Sequence, residues 1–223
     1  GRDIEPGLPD KHELIRIFRE TAETAGRDRM VWRYDPVLFN ERYPAEYHFR
    51  AFESIAEGIC GCTDKVVISF LDCYGKTKRN MRGIPLETPD EEIMKRTGER
   101  FVKTAEKYGM TVESCAETVD LSEVGVRHGS CVDPAMIERI LGVPVRVKKD
   151  KNQRPECGCV ESVETGAYDT CLCGCKYCYA NDSEGAVMRR RAEYDVHAPL
   201  LCGRVEEGDR ITVRRTSRIL TGE

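Results

Sequence analysis

The sequence predicts an α/β fold: a partial TIM-type (β/α) barrel over residues 1–145, followed by a cysteine-rich extension over residues 146–223. Three observations support this prediction. Helical and strand patterns alternate along the first part of the chain, as in βα units with a parallel sheet. Residues 66–71 are almost continuously apolar, which is typical of a strand buried on both faces of such a sheet. After residue 145 the regular pattern fades and a basic link leads into closely spaced cysteines.

The first helix and the first strand are predicted from the residues that would start or end them. Asp10 is placed to cap a helix over residues 11–25, with Glu13 at the capping-box position three residues later. The aromatic and β-branched run at residues 30–39 predicts the first strand. Because proline cannot donate a ladder hydrogen bond, we expect Pro36 to stop that strand.

The later elements alternate in the same way. They are predicted as helices at 44–59, 90–108 and 134–141, strands at 66–71 and 110–115, a loop at 78–89, and a further strand at 210–215. The helix at 134–141 has the clearest start, because Asp133 can cap it and Pro134 suits its first position.

Composition limits the class of protein. A chain of 223 residues with 40% hydrophobic residues can bury a sizeable core. No apolar run approaches the roughly 20 residues of a membrane span, and no signal-peptide pattern opens the chain, so we expect a cytoplasmic protein without a membrane partner.

The net charge of −4 gives little support to nucleic-acid binding, although basic clusters occur at residues 189–191 and 214–218. Twelve cysteines in such a chain favour metal ligation over disulfides.

The densest cysteine stretch predicts the principal site. Cys171, Cys175 and Cys178 stand at C-x-x-x-C-x-x-C spacing, with Tyr177 before the last of them. Thiolates are soft ligands that favour iron–sulfur clusters and zinc. A [4Fe–4S] cluster usually takes four cysteines, so three would leave one iron open to a substrate or cofactor. The alternative is a structural zinc knuckle, because Cys173 offers other pairings.

Four more cysteines predict a second metal centre, which would be a zinc ion or another cluster. These are Cys115, Cys131, Cys157 and Cys159. The glycine between the last two lets both thiolates face one metal, and four thiolates close a zinc site. The alternative is two buried free cysteines and an unrelated C-x-C pair.

Charged residues near the ends of predicted strands form a candidate substrate site. Chemistry in parallel α/β folds gathers at the carboxyl ends of the strands. The candidate substrate-binding or catalytic residues are Arg33, Asp35, Lys76 and Glu117. Their alternative role is in structural ion pairs.

Several strings resemble an uncharacterised prokaryotic family that is catalogued as a domain of unknown function. They are WRYDPVLFN (32–40), ISFLDCYGK (68–76), SCAE (114–117), SCVD (130–133) and residues 149–181. The family's C-terminal cysteine cluster is likened to the radical S-adenosylmethionine (SAM) iron–sulfur motif, which implies a cluster at Cys171, Cys175 and Cys178. The resemblance also implies a chain that lacks its first βα units. Here the motif follows the last recognisable strand, whereas in radical SAM enzymes it usually follows the first.

The resulting hypothesis is an iron–sulfur protein of radical SAM type. Such an enzyme would need an electron donor and a substrate that is a small molecule or a macromolecule. The alternative is a non-catalytic zinc-binding module that recognises a protein or nucleic-acid partner. If the chain is an enzyme, we expect the extension to place Cys171, Cys175 and Cys178 opposite the charged strand ends, because a radical must reach its substrate without crossing water.

Overall fold

A computed structural model describes residues 1–73 and 75–213 of the chain. The α-helices are α1 (Lys11–Ala25), α2 (Ala45–Gly58), α3 (Gly75–Asn80), α4 (Glu91–Lys107), α5 (Pro134–Leu141) and α6 (Glu184–Ala192). The strands are β1 (Trp32–Val37), β2 (Lys65–Phe70), β3 (Thr111–Cys115) and β4 (Arg127–Gly129). Within this part of the chain, none of the helices combines the length and apolar character that a bilayer crossing needs.

The four strands form one parallel sheet in the order β1-β2-β3-β4, which confirms the predicted mixed α/β class. Val66, Val67 and Ile68 of β2 are all buried, as the apolar run predicts. In the described residues β1 and β4 lie at the edges of the sheet, so a closed barrel is not formed there.

The sheet has one apolar and one polar face because strand residues alternate in direction. The apolar face carries Trp32, Val66, Ile68 and Val112, which are buried in the main core together with residues of α2 and α4. The polar face carries the residues that directly precede or follow the apolar-face residues in each strand. They are Arg33, Asp35, Lys65, Glu113, Cys115 and Arg127, with Val67 as an apolar member.

Two predicted helices have the predicted bounds and caps. Asp10 accepts a hydrogen bond from the backbone N–H of His12 at the start of α1. Asp133 accepts one from Ala135 at the start of α5, with Pro134 at the first helical position. The Glu13 carboxylate pairs with Arg16.

Five features differ from the prediction. Strand β1 continues past Pro36 to Val37, with a register shift after Tyr34. The proline is tolerated there because β1 is an edge strand, although the expectation that it would end the strand was wrong. Residues 78–80, which were expected to begin a loop, form the end of helix α3, and β4 and α6 were not predicted. Residues 210–213 form no strand, and the rest of the strand predicted at 210–215 lies outside the described residues.

The chain divides into two compact units. The sheet unit comprises residues 10–72 and 84–162, and it holds the whole sheet together with α1, α2, α4 and α5. The cysteine-loop unit comprises residues 1–9, 73–83 and the described residues from 163 on, with α3 and α6. Each unit is therefore built from segments that are distant in sequence.

His48 is a buried residue of the sheet unit and both of its ring nitrogens are hydrogen-bonded. Its Nε2 lies 2.8 Å from the carbonyl oxygen of Leu38, and its Nδ1 lies 2.9 Å from the Tyr34 hydroxyl. Since a carbonyl only accepts, Nε2 carries the proton and Nδ1 accepts from the hydroxyl. Burial lowers the pKa of His48 below its ordinary value of 6.5, against the opposing effect of the bond to Leu38.

We expect this histidine to weaken the fold in mild acid. As the pH falls below 6.5 the unfolded chain takes up the proton before the folded chain does, so the free energy of unfolding decreases. In the His48→Gln variant the free energy of unfolding, measured by chemical denaturation, should fall less steeply than in wild type between about pH 7 and about pH 5.5. The exposed His12→Gln control should keep the wild-type slope, and equal slopes in all three proteins would refute the assignment.

Candidate metal and thiol sites

The cysteine-loop unit brings four sulfur atoms together. Burial and the neighbouring thiols of Cys171, Cys175 and Cys178 raise the pKa of Cys173 to about 11. Burial also raises the pKa of Cys175. The Cys178 and Cys171 thiols raise this pKa further, whereas a hydrogen bond with Tyr177 lowers it. Residues 171–178, the cysteine loop, thus gather the three predicted ligands and Cys173 into one group of interacting thiols.

The N-terminal segment holds this loop from one side. The backbone N–H of Lys176 donates to Ile4, and the N–H of Gly7 donates to Cys173, both at 2.9 Å. The Tyr177 hydroxyl donates to the Glu5 carboxylate at 2.6 Å. Burial, reinforced by Glu5, raises the pKa of Tyr177 above its ordinary value, so the phenol remains a donor.

Helix α3 contacts the end of the loop and the residues that follow it. The Lys76 ammonium donates to the carbonyl of Tyr179 at 3.3 Å and lies 3.6 Å from the Asp182 carboxylate. The buried Thr77 hydroxyl donates to the carbonyl of Tyr177 at 3.4 Å. Lys76, predicted as a substrate residue, therefore anchors the end of the cysteine loop.

Asn181 contributes a buried acceptor beside the loop. Its Nδ2 donates to the carbonyl oxygen of Cys171 at 2.6 Å. Its Oδ1 is buried and has no hydrogen-bond partner among the residues that the structure describes. A buried acceptor without a donor is costly, so this oxygen is a place where a ligand's N–H group would be stabilising.

The donor set of the loop suits an iron–sulfur cluster in kind and number, since all of its members are thiols. Their present arrangement is not that of a formed metal site. Across residues 1–73 and 75–213, no three cysteine, histidine, aspartate or glutamate side chains are arranged to hold a metal ion. Binding would therefore require the thiol side chains to turn toward a common centre.

The second cysteine set comes together in the sheet unit. The sulfur atoms of Cys115 and Cys131 lie 3.2 Å apart. The Cys159 sulfur accepts the backbone N–H groups of Cys131 and Val132 at 3.2 and 3.4 Å. The Cys157 sulfur accepts the backbone N–H of Cys159 at 3.5 Å, and both of these cysteines are buried. The proximity of the four was predicted, and their role as metal ligands stays a prediction.

The geometry of the Cys115–Cys131 pair differs from that of a filled zinc site. Four sulfur atoms on a tetrahedral zinc, with bonds of about 2.3 Å, lie about 3.8 Å from one another. The observed 3.2 Å is shorter and corresponds to a hydrogen bond between the two sulfurs. This bond lowers the pKa of Cys131, with help from Arg33 and against the effect of burial, and it raises the pKa of Cys115.

Arg33 and Asp35 lie together on the polar face and form an ion pair. The other terminal nitrogen of Arg33 lies 2.9 Å from the Cys131 sulfur. These two predicted residues therefore adjoin the second cysteine set, where the guanidinium stabilises a thiolate.

A further polar cluster on the same face had not been predicted as a site. The Lys65 ammonium lies 3.0 Å from Glu113 and 2.9 Å from Asp133. Burial alone would lower the pKa of Lys65, but the hydrogen bonds to Asp133 and Glu113 outweigh it and raise the pKa. The sequence signal for this cluster was Glu113 inside a strand, whereas its partner Lys65 lies just before the strand predicted at 66–71.

Glu117, the fourth predicted residue, follows β3 in the sheet unit. Its carboxylate accepts the backbone N–H of Phe70 at 2.8 Å. Burial raises the pKa of Glu117 above its ordinary value, against the effect of that hydrogen bond. It thus ties together the ends of two strands and takes up a proton more readily than an exposed glutamate.

The basic cluster at Arg189–Arg191 occupies the last turn of α6, where the helix dipole favours positive charge. All three side chains are exposed, and Arg190 pairs with Glu193. The arginines at 214, 215 and 218 lie outside the described residues.

Comparison with known proteins identifies one related group. A family model for a domain of unknown function, DUF1848, matches residues 1–180. This range includes both cysteine sets and all strands of the sheet. Searches of curated proteins and of solved structures found no match.

Proposed function

Given that the chain belongs to the DUF1848 family, we propose that it is an iron–sulfur protein of radical SAM type. The observation that carries the proposal is the group of interacting thiols at Cys171, Cys173, Cys175 and Cys178. Three of them have the spacing of a cluster with one open iron. When bound, such a cluster supplies an electron to SAM.

The surroundings of the loop support this assignment. Segment 1–9 and α3 hold the backbone of the loop, so its thiols are presented from a supported structure. The unpartnered Oδ1 of Asn181 would accept a hydrogen bond from the amino group of a ligand such as SAM. Cys171 is exposed, which leaves a route by which iron and sulfide can enter.

We further propose that the sheet is one arc of a partial (β/α) barrel. Its strands are parallel and in sequence order, and α2 and α4 follow β1 and β2 and pack on the apolar face, which is the arrangement of successive βα units. The polar face would then be the inner face, where Arg33, Asp35 and Glu113 would contact the substrate.

The proposal predicts that iron binding depends on three particular cysteines. Anaerobically reconstituted protein should contain iron and labile sulfide and absorb broadly at roughly 400 nm, the region typical of thiolate-ligated iron. Replacing Cys171, Cys175 and Cys178 together with alanine should abolish the absorbance and the iron content.

The loop contains a matched control for this experiment. Cys173→Ala removes a thiol from the same group but leaves the C-x-x-x-C-x-x-C set intact, so it should retain most of the iron. Unchanged iron and sulfide in the triple variant would rule out the assigned ligands. Protein that takes up zinc at these cysteines and never iron would instead indicate a zinc module, whose partner could contact the exposed arginines of α6.

A further inference from the structure

The contact between the Cys115 and Cys131 sulfur atoms in the sheet unit is a second candidate for chemistry, independent of the iron–sulfur proposal. We propose that Cys115 and Cys131 form a redox-active dithiol that exchanges with low-molecular-weight disulfides such as glutathione disulfide. The two sulfur atoms lie 3.2 Å apart, about 1.2 Å more than the roughly 2.0 Å of a disulfide bond. Closing the bond requires small side-chain movements.

The backbone holds both cysteines in place. Cys115 ends β3 and lies in register with Gly129 of β4, two residues before Cys131. The N–H groups of Cys131 and Val132 donate to the Cys159 sulfur, which fixes the chain that carries the Cys131 side chain. The buried Cys157 and Cys159 pack with Ala116 and against Cys115. These two cysteines therefore support the pair that reacts.

Charge and exposure give the two cysteines different roles. The Arg33 guanidinium lies 2.9 Å from the Cys131 sulfur, and a cation at this distance favours the thiolate. Cys131 is exposed, so an incoming disulfide can reach it. Cys115 is half-buried, and its sulfur lies 3.2 Å from that of Cys131, so its S–H can donate to a Cys131 thiolate. Cys131 is accordingly the attacking thiolate and Cys115 the resolving thiol.

The exchange proceeds in two steps. The Cys131 thiolate attacks one sulfur of the small disulfide, whose S–S bond breaks and releases one thiolate, leaving a mixed disulfide on Cys131. Cys115 then loses its proton to water and attacks the Cys131 sulfur, and the second small thiolate leaves. Overall, two protein thiols lose two electrons and two protons, and the small disulfide is reduced to two thiols.

The test uses the full chain, purified with reductant and without reconstitution. It is equilibrated anaerobically with glutathione buffers of increasing oxidised fraction, alkylated, and analysed by peptide mass spectrometry. We expect a Cys115–Cys131 disulfide to form before any other pair. Because this measurement uses the wild-type protein, it does not depend on a variant that folds. Absence of this disulfide, while other cysteines oxidise, would overturn the proposal.

Two variants separate the assigned roles. Cys115→Ser should stop the reaction at a glutathione adduct on Cys131, and Arg33→Met should slow adduct formation roughly tenfold. The exposed Cys60→Ser should react like wild type. A bound zinc ion that both Cys115→Ser and Cys131→Ser release would show instead that the four cysteines form a metal site, and would also overturn the proposal.

Discussion

Replacing Phe101 with alanine should lower the free energy of unfolding by about 3–5 kcal/mol, the usual cost of removing a buried aromatic side chain. Phe101 of α4 and Phe52 of α2 are both fully buried, at 0% exposure. Their rings stack with centroids 4.2 Å apart and planes 9° from parallel. The Tyr34 ring meets Phe101 edge-on at 5.4 Å, so the substitution leaves a cavity where both helices meet the sheet.

Phe49→Ala is the matched control, because it removes the same atoms from a partly exposed position of α2. The free energy of unfolding, measured by chemical denaturation, should fall by less than half as much in Phe49→Ala as in Phe101→Ala. Similar losses for the two variants would mean that the packing between α2 and α4 does not dominate the stability of the sheet unit.

Replacing Gly7 with alanine should disrupt the cysteine loop and lower its iron content severalfold. An added Cβ would lie 2.7 and 2.8 Å from the carbonyl oxygens of Leu172 and Cys173, and 2.9 Å from the Cys173 Cα. Backbone atoms cannot rotate away as a side chain can, so the segment and the loop must separate. Overpacking of this kind typically costs about 1–3 kcal/mol, and it would break the hydrogen bond from Gly7 to Cys173.

Gly208→Ala tests whether the effect is specific to this contact. Gly208 belongs to the same unit, and no atom lies within 4 Å of the Cβ that the substitution adds. Iron per chain and thermal unfolding should match wild type in this control. If Gly7→Ala also retained full iron, the close approach of segment 1–9 would be irrelevant to the loop thiols.

Local signals predicted several elements well. Helices α1 and α5 have strong caps in Asp10 and Asp133, and their bounds agree with the prediction. Strand β4 was missed because its sequence, Arg-His-Gly, has neither β-branched nor apolar residues. It is a strand because its backbone pairs with β3, which is a tertiary effect that strand propensity does not contain.

The candidate sites were predicted in part. Cysteine spacing located the loop set, and the predicted second metal centre required Cys115, Cys131, Cys157 and Cys159 to converge, as they do. The contacts that hold the cysteine loop were not predicted, because Glu5 and Gly7 are distant in sequence from the loop residues that they contact. Spacing reports only ligands that are close along the chain, whereas the supporting residues depend on the folded path.

The discontinuous path of the cysteine-loop unit has a consequence for protein synthesis. Glu5 and Tyr177, whose side chains meet, are 172 residues apart. At about 5–20 residues per second, a ribosome takes roughly 10–30 s to cover that distance. Residues 10–72 and 84–162 are synthesised within this interval, so all four strands exist before Tyr177 is added. We therefore expect the sheet to fold while the thiol loop is still reduced and unclosed, and iron delivery to be a late step after translation.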